Sequence, residues 1–562
     1  MSLTSCPPRR CSVSLRPSDT YQVPEETARV ARAIYPDGNL VMQVYDELAM
    51  LFDDHDFADL FPIQGQPAES PARLALVTLL QFMEGLTDRQ AADAGRTRID
   101  WKYLLCMELT DSGFHHTVLS EFRTRLLTHE AERRLFETVL DCARSHGLLN
   151  AGGRQRSDST HVLSAVHAMT RVEGVTETLR HALNTLATAA PEWLRAHTTS
   201  DWVDRYGPRA SAYRLPKGEA KRRAWVDRTG IDGMALLNAV YAESAPPELQ
   251  RLHAVETLRQ VWVQNFMLTE GKLSWRENDN IPPSTRYIGS PYDTDARYAT
   301  KRTTAWTGYK VHLTETYEEE RPNLITNVET TTATVPDDAV TACIHASLAE
   351  RGLLPDKHVA DTGYVNSKLL VASEATYGVE LIGPTRSDNR WQAKEGSGFS
   401  AHDFVVDWES QQAICPSGKP NASWAPALDR VGNAVVKIKF ATTDCRVCAS
   451  RTKCTRSKIP RRTITLRPQA QHEALQANRQ RERTERFAEE YARRAGVEGT
   501  IAQGVRSCRM RRSRYRGMSK THLQHLMTAT AMNVVRMLRW LAGESKAETP
   551  VSAFARLYPL AA

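Results

Sequence analysis

Residues 357–364 read KHVADTGY, a short strand that ends in a carboxylate, Asp361, with Gly363 just beyond it to let the chain turn. Upstream, GYKVHLTET (308–316) sets Val311 and Leu313 on one side of a strand, and NLITNVETTTATV (323–335) continues the strand pattern. DDAVTACIHASLAERG (337–352) then reads as a helix opened by Asp337 and Asp338. Downstream, NSKLLVASEATYG (366–378) is a helix closed by Gly378, and VELIGPT (379–385) is a further strand. Strands, helix, strand, helix, strand predicts an α/β fold: a sheet with parallel members and helices on its faces. Ligands collect at the carboxyl end of such strands, where Asp361 sits. Capping of the following helix is the competing role for that carboxylate.

The pattern before this unit is different. From about Leu40 to Leu149 apolar positions recur at helical spacing, with Leu74, Leu76, Val77, Leu80 and Met83 on one face. Within that stretch LTDRQAADAG (86–95), DWKYLLCMEL (100–109) and SGFHHTVLSEFRTRLL (112–127) read as short helices between polar turns, the last with Arg123 and Arg125 exposed. That spacing suits helix-turn-helix docking on DNA and three mutually packed small helices equally well. After Gly152 polar strand character begins with RQRSDSTHVLSAV (154–166), which carries Asp158. A helical stretch follows from about Val175 to Glu270 and reads as an insertion. From Trp391 to about Leu475 order gives way to Gly, Pro, Trp and Cys. A charged helix, QANRQRERTERFAEEYARRAGVEG (476–499), comes next, and KTHLQHLMTATAMNVVRMLRWLAG (520–543) supplies apolar positions for a sheet face.

Glu498 lies between Gly496 and Gly499, which leaves open backbone beside a carboxylate. Tyr491, Arg494 and Glu498 fall at i, i+3 and i+7, one face of a helix, which suits either phosphate handling or a plain ion-paired surface. Three acids from distant positions are hard oxygen donors of the kind that two-metal phosphoryl chemistry needs, with magnesium ions about 3.5 to 4 Å apart. Neither a GxxxxGK[ST] phosphate loop nor an HExxH motif occurs, so ATP-driven and zinc-peptidase readings lose their main support.

The net charge of +7 is modest for 562 residues, but its distribution is not even. Between Arg506 and Lys520 the chain carries six arginines, one lysine and no acid. Arg506, Arg509, Arg511, Arg512, Arg514 and Arg516 are therefore candidate phosphate contacts, with a merely solvated basic face as the alternative. Four of the ten cysteines fall between residues 415 and 454. Cys445-x2-Cys448 followed by Cys454, with Cys415 in a Cys-Pro-Ser-Gly turn, suits a structural zinc site, and unliganded reduced thiols are the other reading. No run of about 18 apolar residues and no leader-type apolar segment is present, which points to the cytoplasm and away from membranes. His161, His312 and His358 sit on strand patterns and read as structural.

The pieces DSTHVLSAV (158–166), SPYDTDARYATKRTTAWTGYKVHLTE (290–315), HVADTGYV (358–365), CPSG (415–418) with CRVCASRTKCT (445–455), and the stretch 491–525 together resemble bacterial insertion-sequence DDE transposases with a cysteine-bearing insert. The resemblance runs in order from about residue 35 to 545. It implies an RNase H-like catalytic core, a mixed sheet flanked by helices, with an N-terminal all-helical domain and insertions. The boundaries expected are a mobile tail to 28 and a helical DNA-binding domain over 29–150. A core follows from 151–170, 290–390 and 485–545, with a helical insertion over 171–289, a cysteine-bearing insertion over 391–484 and a C-terminal tail over 546–562. It also implies Asp158, Asp361 and Glu498 as the catalytic triad on two Mg²⁺ ions, or Mn²⁺. The substrate would be double-stranded DNA at element ends and target, bound by an oligomer of this chain. The family signature Tyr-x2-Arg-x3-Glu-x6-Lys is met by Tyr491, Arg494 and Glu498, whereas its last position is Val505 with Arg506 next door. A hydrolytic nuclease of the same fold and an inactive DNA-binding descendant are the alternatives.

Overall fold

In a computed structural model of the chain, residues 13–18, 21–210, 215–546 and 557 are described. A six-stranded mixed sheet lies at the centre: β1 (Arg154–Leu163), β2 (Arg297–Lys301), β3 (Thr304–Thr316), β4 (Ile325–Thr332), β5 (Lys357–Ala360) and β6 (Glu380–Ile382). Strands β6, β5 and β1 are parallel neighbours, and β3 runs antiparallel to β1, β2 and β4. Alternation along β3 explains its place inside the sheet. Tyr309, Val311 and Leu313 are buried on one face while His312, Thr314 and Thr316 are buried on the other, so both faces are covered.

Helix Met518–Leu541 packs on this sheet, mainly against β4, and also against helices Pro71–Glu84 and Arg134–Ser145. Its Asn533 amide exchanges two hydrogen bonds of 2.8 Å with the Ile325 backbone, which satisfies a main-chain pair at the start of β4. The helices of residues 40–145 and the sheet share one apolar core: Leu76, Leu80, Leu135, Val311, Val328, Leu526 and Met527 belong to the same buried cluster, while helix Glu25–Ile34 packs through Ala31 in a smaller one with Met42 and Tyr103. Residues 171–275 build a second core of their own around Val175, Leu179, Leu258 and Trp262. Gly233 meets Trp262 so closely there that an added Cβ would stand 2.0 Å from the indole.

Several sequence expectations need redrawing. Helix Glu25–Ile34 starts inside the stretch read as a tail, and Thr27 is buried with its hydroxyl donating to Met107 O at 2.8 Å. Residues 1–12 and most of 547–562 lie outside the described residues. The stretch 391–475, read as irregular, contains a three-stranded antiparallel sheet of Asn421–Leu428, Ala434–Phe440 and Thr463–Leu466 over a small core of Phe404, Ile438, Phe440 and Ile464. The charged helix 476–499 is three helices, Gln469–Arg481, Glu485–Ala492 and Ala495–Cys508. Among the described residues no helix is long and apolar enough to cross a membrane.

The sheet encloses several neutral histidines. Burial pushes His312, His345 and His522 down to about 4 and His525 down to about 3, and it drives His358 well below its ordinary value. Their rings are tied as neutral partners: His312 Nδ1 to Tyr364 OH at 2.6 Å, His345 Nε2 to His358 Nδ1 at 2.8 Å, and His358 Nε2 to Ser157 Oγ at 2.7 Å. An unfolded chain protonates these rings from about pH 6.5 downward, whereas the folded chain resists until about pH 4, so the unfolded state binds more protons in that window. Stability is therefore expected to fall as pH drops from 6.5 toward 4. Thermal melts at pH 7.5 and pH 5 check this, and an equal or higher midpoint at pH 5 would contradict it.

Candidate active site

Strand register brings the first two carboxylates together. Parallel pairing of β1 with β5 runs from Arg154 opposite Lys357 to Ser157 opposite Ala360, and one further step sets Asp158 beside Asp361. Burial pushes the Asp158 carboxyl up. The neighbouring charge of Asp361 adds to this, while the Ser159 N–H, 2.7 Å from Oδ1, and the Arg494 guanidinium oppose it. Asp361 does not cap the next helix. Asn366 does that by accepting from the Leu369 N–H at 3.0 Å, while Asp361 Oδ1 accepts from the Gly363 N–H at 2.8 Å.

Glu498 joins through a cation. Arg494 donates to Asp158 Oδ2 at 2.9 Å and to Glu498 Oε1 at 2.5 Å, and its guanidinium lies 5.8 Å from the Tyr491 ring centre. Tyr491 is half-buried and stacks on Phe487. These residues do not share one continuous helix, because the chain breaks between Ala492 and Ala495. The break has a physical cause: the Arg493 carbonyl accepts from Arg156 Nη1 at 2.5 Å. Gly496 admits that guanidinium, since a Cβ there would stand 2.1 Å from the same nitrogen. Gly499 faces open space, so only one of the two glycines flanking Glu498 serves a close approach.

Beneath this lies a buried ion network. Arg156 Nε donates to Glu315 Oε1 at 2.8 Å, and Arg536 Nη1 and Thr500 Oγ1 donate to Glu315 Oε2 at 3.0 and 2.5 Å. Glu315 is fully buried, so these bonds fasten the helix that carries Glu498 to β1 and β3. Sequence reading missed this network because its members look like ordinary strand and helix charges. It also missed Lys310 and Asp337, which pair at 2.9 Å beside the site. Burial pushes the Asp337 carboxyl up, but the Lys310 ammonium outweighs that and holds it below the ordinary carboxylate range. An added Cβ on Gly363 would meet Asp361 Oδ1 at 2.9 Å and Asp337 Oδ2 at 3.1 Å, so the glycine leaves a gap between two acids.

The basic stretch is stitched to β1. The Leu163 N–H donates to Arg511 O and the Ser513 N–H to Leu163 O, each at 2.8 Å, and Arg511 Nε donates to Thr160 Oγ1 at 2.8 Å. Arg506, Arg509, Arg511, Arg512 and Arg516 are exposed, and Arg516 lies over the Tyr292 ring at 5.0 Å. Arg514 is half-buried, donating to Leu86 O at 2.7 Å and lying 4.8 Å from the Phe82 ring centre, so it ties the stretch to the N-terminal helices. Val505 packs inward against the core while Arg506 points to the surface.

Arg123 and Arg125, expected to be exposed, are not. Arg123 is 6 % exposed, paired with Asp88 at 2.5 Å and lying over Tyr515, and Arg125 donates to Leu60 O at 3.2 Å with its guanidinium on Phe61. Both hold helix Thr117–Thr128 in place. Its solvent face carries Thr117, Ser120, Glu121, Thr124 and Thr128, with no cation to meet a phosphate.

All four cysteines of the insert are free and line one cavity of about 300 Å³. Among the described residues, no three His, Cys, Asp or Glu side chains form a ready site for a single metal ion, here or at the carboxylates, where Arg494 holds Glu498.

Fold and site define an α/β protein with an acidic centre at the ends of parallel strands and exposed arginines on the segment joined to the same strand. Two family models agree with this outline: a transposase DDE domain matches residues 414–538, and a transposase domain (DUF772) matches residues 33–125. These two stretches of the chain are thus similar to domains of transposases. No curated protein matched it.

Proposed function

We propose that this transposase cuts DNA at the ends of an insertion element and joins the freed 3'-hydroxyl to target DNA, with Asp158, Asp361 and Glu498 as its carboxylates. The observation that carries this reading is the register of β1 and β5, which seats Asp158 beside Asp361 while Arg494 draws Glu498 to the same place. The strand order β4-β3-β1-β5-β6, with antiparallel members first and parallel ones after, supports an RNase H-like core.

The donors fit magnesium, and manganese as a substitute. All are hard carboxylate oxygens, and the Asp158 carboxyl already meets the charge of Asp361, a repulsion that a dication relieves. When bound, divalent ions supply polarisation of the phosphoryl group and activation of the attacking and leaving oxygens. Asp158 and Asp361 would hold them, with Glu498 joining when Arg494 turns to a phosphate. Arg494 then serves twice, keeping the acids compatible without DNA and offsetting substrate charge with it. Both steps are in-line displacements at phosphorus, first by water and then by the 3'-hydroxyl, and neither needs a protein nucleophile.

Exposed arginines beside Glu498 would track the DNA backbone. Replacing Arg509 and Arg512 by glutamine is expected to weaken binding alike for all sequences. It should also reduce the slope of log K against log salt by up to roughly 0.9 for each phosphate that is no longer neutralised. A titration at several salt concentrations measures it, and an unchanged slope would remove these residues from the interface. Arg123→Gln, by contrast, is expected to lower stability rather than the salt slope.

The function itself is tested by incubating the protein with element-end DNA, target DNA and Mg²⁺ and resolving the products. Joined strands are expected. Cut but unjoined DNA would favour a hydrolytic nuclease, and binding without cutting would favour an inactive DNA-binding protein. An oligomer assembled on two element ends and a cytoplasmic, DNA-associated location complete the proposal.

A further inference from the structure

Strand cleavage has no use for the four thiols of the insert, yet the fold collects them. Cys415 follows the strand Gln412–Ile414, Cys445 lies in helix Thr442–Arg446, Cys448 in the loop after it, and Cys454 ends helix Arg451–Cys454. All four line the same cavity, together with Phe399, Phe440 and the cations Lys419, Arg451 and Arg462. The sulfurs are already addressed by donors. The Lys419 N–H points at Cys415 Sγ from 3.4 Å, and Ser417 Oγ lies 3.5 Å from Cys448 Sγ.

Size decides what such a ring of thiols suits. A single zinc ion takes each sulfur at about 2.3 Å, which draws the four together and leaves no space between them. Here no three of them form a ready site for one ion, and all four line a cavity of about 300 Å³. A cofactor several atoms across fits that volume. Four thiolates on such a group would carry net negative charge, which the three lining cations offset despite one lining acid, Asp444, while the two phenylalanines limit water at its edge. Donors aimed at the sulfurs are features that tune thiolate-bound clusters.

We propose that Cys415, Cys445, Cys448 and Cys454 hold an iron–sulfur cluster of the [4Fe–4S] type. It pins the two short helices to the three-stranded sheet, whose own apolar core is small. This site is independent of the DNA reaction, so failure of either proposal leaves the other standing.

Full-length protein purified without oxygen is expected to be brown, with a visible absorption band that bleaches on reduction with dithionite. Iron and acid-labile sulfide should each approach about four per chain. Cys448→Ser should lose the colour and most of the iron, whereas Cys343→Ser, an exposed thiol outside the insert, should keep both. If Cys448→Ser does not fold, metal and sulfide content and the electron paramagnetic resonance of the reduced unmodified protein decide alone. A colourless chain after reconstitution with ferrous iron and sulfide, a chain holding zinc instead, or one with two irons or fewer overturns the proposal.

Discussion

Asp361→Asn is expected to reduce magnesium-dependent cutting of element-end DNA by well over about 100-fold, because outer partners of a metal ligand already cost about 10- to 100-fold. The substitution keeps the shape of the side chain. An amide oxygen can still accept from the Gly363 N–H at the end of β5, so the fold should persist and DNA affinity should change little. What disappears is the negative charge beside Asp158, and with it, on the proposed mechanism, the hold on a dication. A second effect follows: without that neighbour the Asp158 carboxyl should titrate lower, because Asp361 is one of the groups that push it up. Cleavage rates on radiolabelled ends, measured beside a binding titration, separate the two quantities. Unimpaired cutting would dismiss Asp361 from the chemistry, and lost binding would recast it as a structural residue.

The largest effect on stability is expected at Glu315, which touches no substrate. Glu315→Leu would strand Arg156 and Arg536, whose side chains are 8 % and 16 % exposed, without their shared carboxylate. Breaking a buried pair from one side costs about 3 to 5 kcal/mol, much of a typical folding free energy. The midpoint of chemical unfolding should drop accordingly. Arg195→Ala, at a pair exposed at 75 % and 81 %, should shift it by less than about 1 kcal/mol. Comparable shifts in the two variants would refute the ranking. Activity should fall too, since the same carboxylate anchors Thr500, two residues from Glu498 on the same helix.

Much of the fold was legible in the chain. Glycine after the helix ending at Tyr377, the alternation in β3 and the apolar face of residues 520–543 are local signals, and each element formed where its pattern placed it. The sheet in the cysteine insert was not legible, because its strands are partly exposed and lack the strict alternation that a buried face imposes. Within the candidate site, Asp361 stood out through its position at a strand end. Asp158 did not, since its meaning depends on a register between residues about 200 apart that no local pattern encodes. Arg123 misled for a related reason: helical spacing tells which residues share a face but not whether that face meets water or the Asp88 carboxylate. The charged run 476–499 looked like one helix partly because Arg156, which meets the chain at its second break, comes from far upstream.

The core shared by the helices of residues 40–145, the sheet and helix Met518–Leu541 bears on how the chain folds. That helix packs on Pro71–Glu84 and Arg134–Ser145, helices that lie far upstream of it in the chain. Loop-closure entropy opposes such contacts before they stabilise anything, so this core is expected to form slowly. Without that helix, β4 would lose its main helical cover and the apolar face beneath it would meet water.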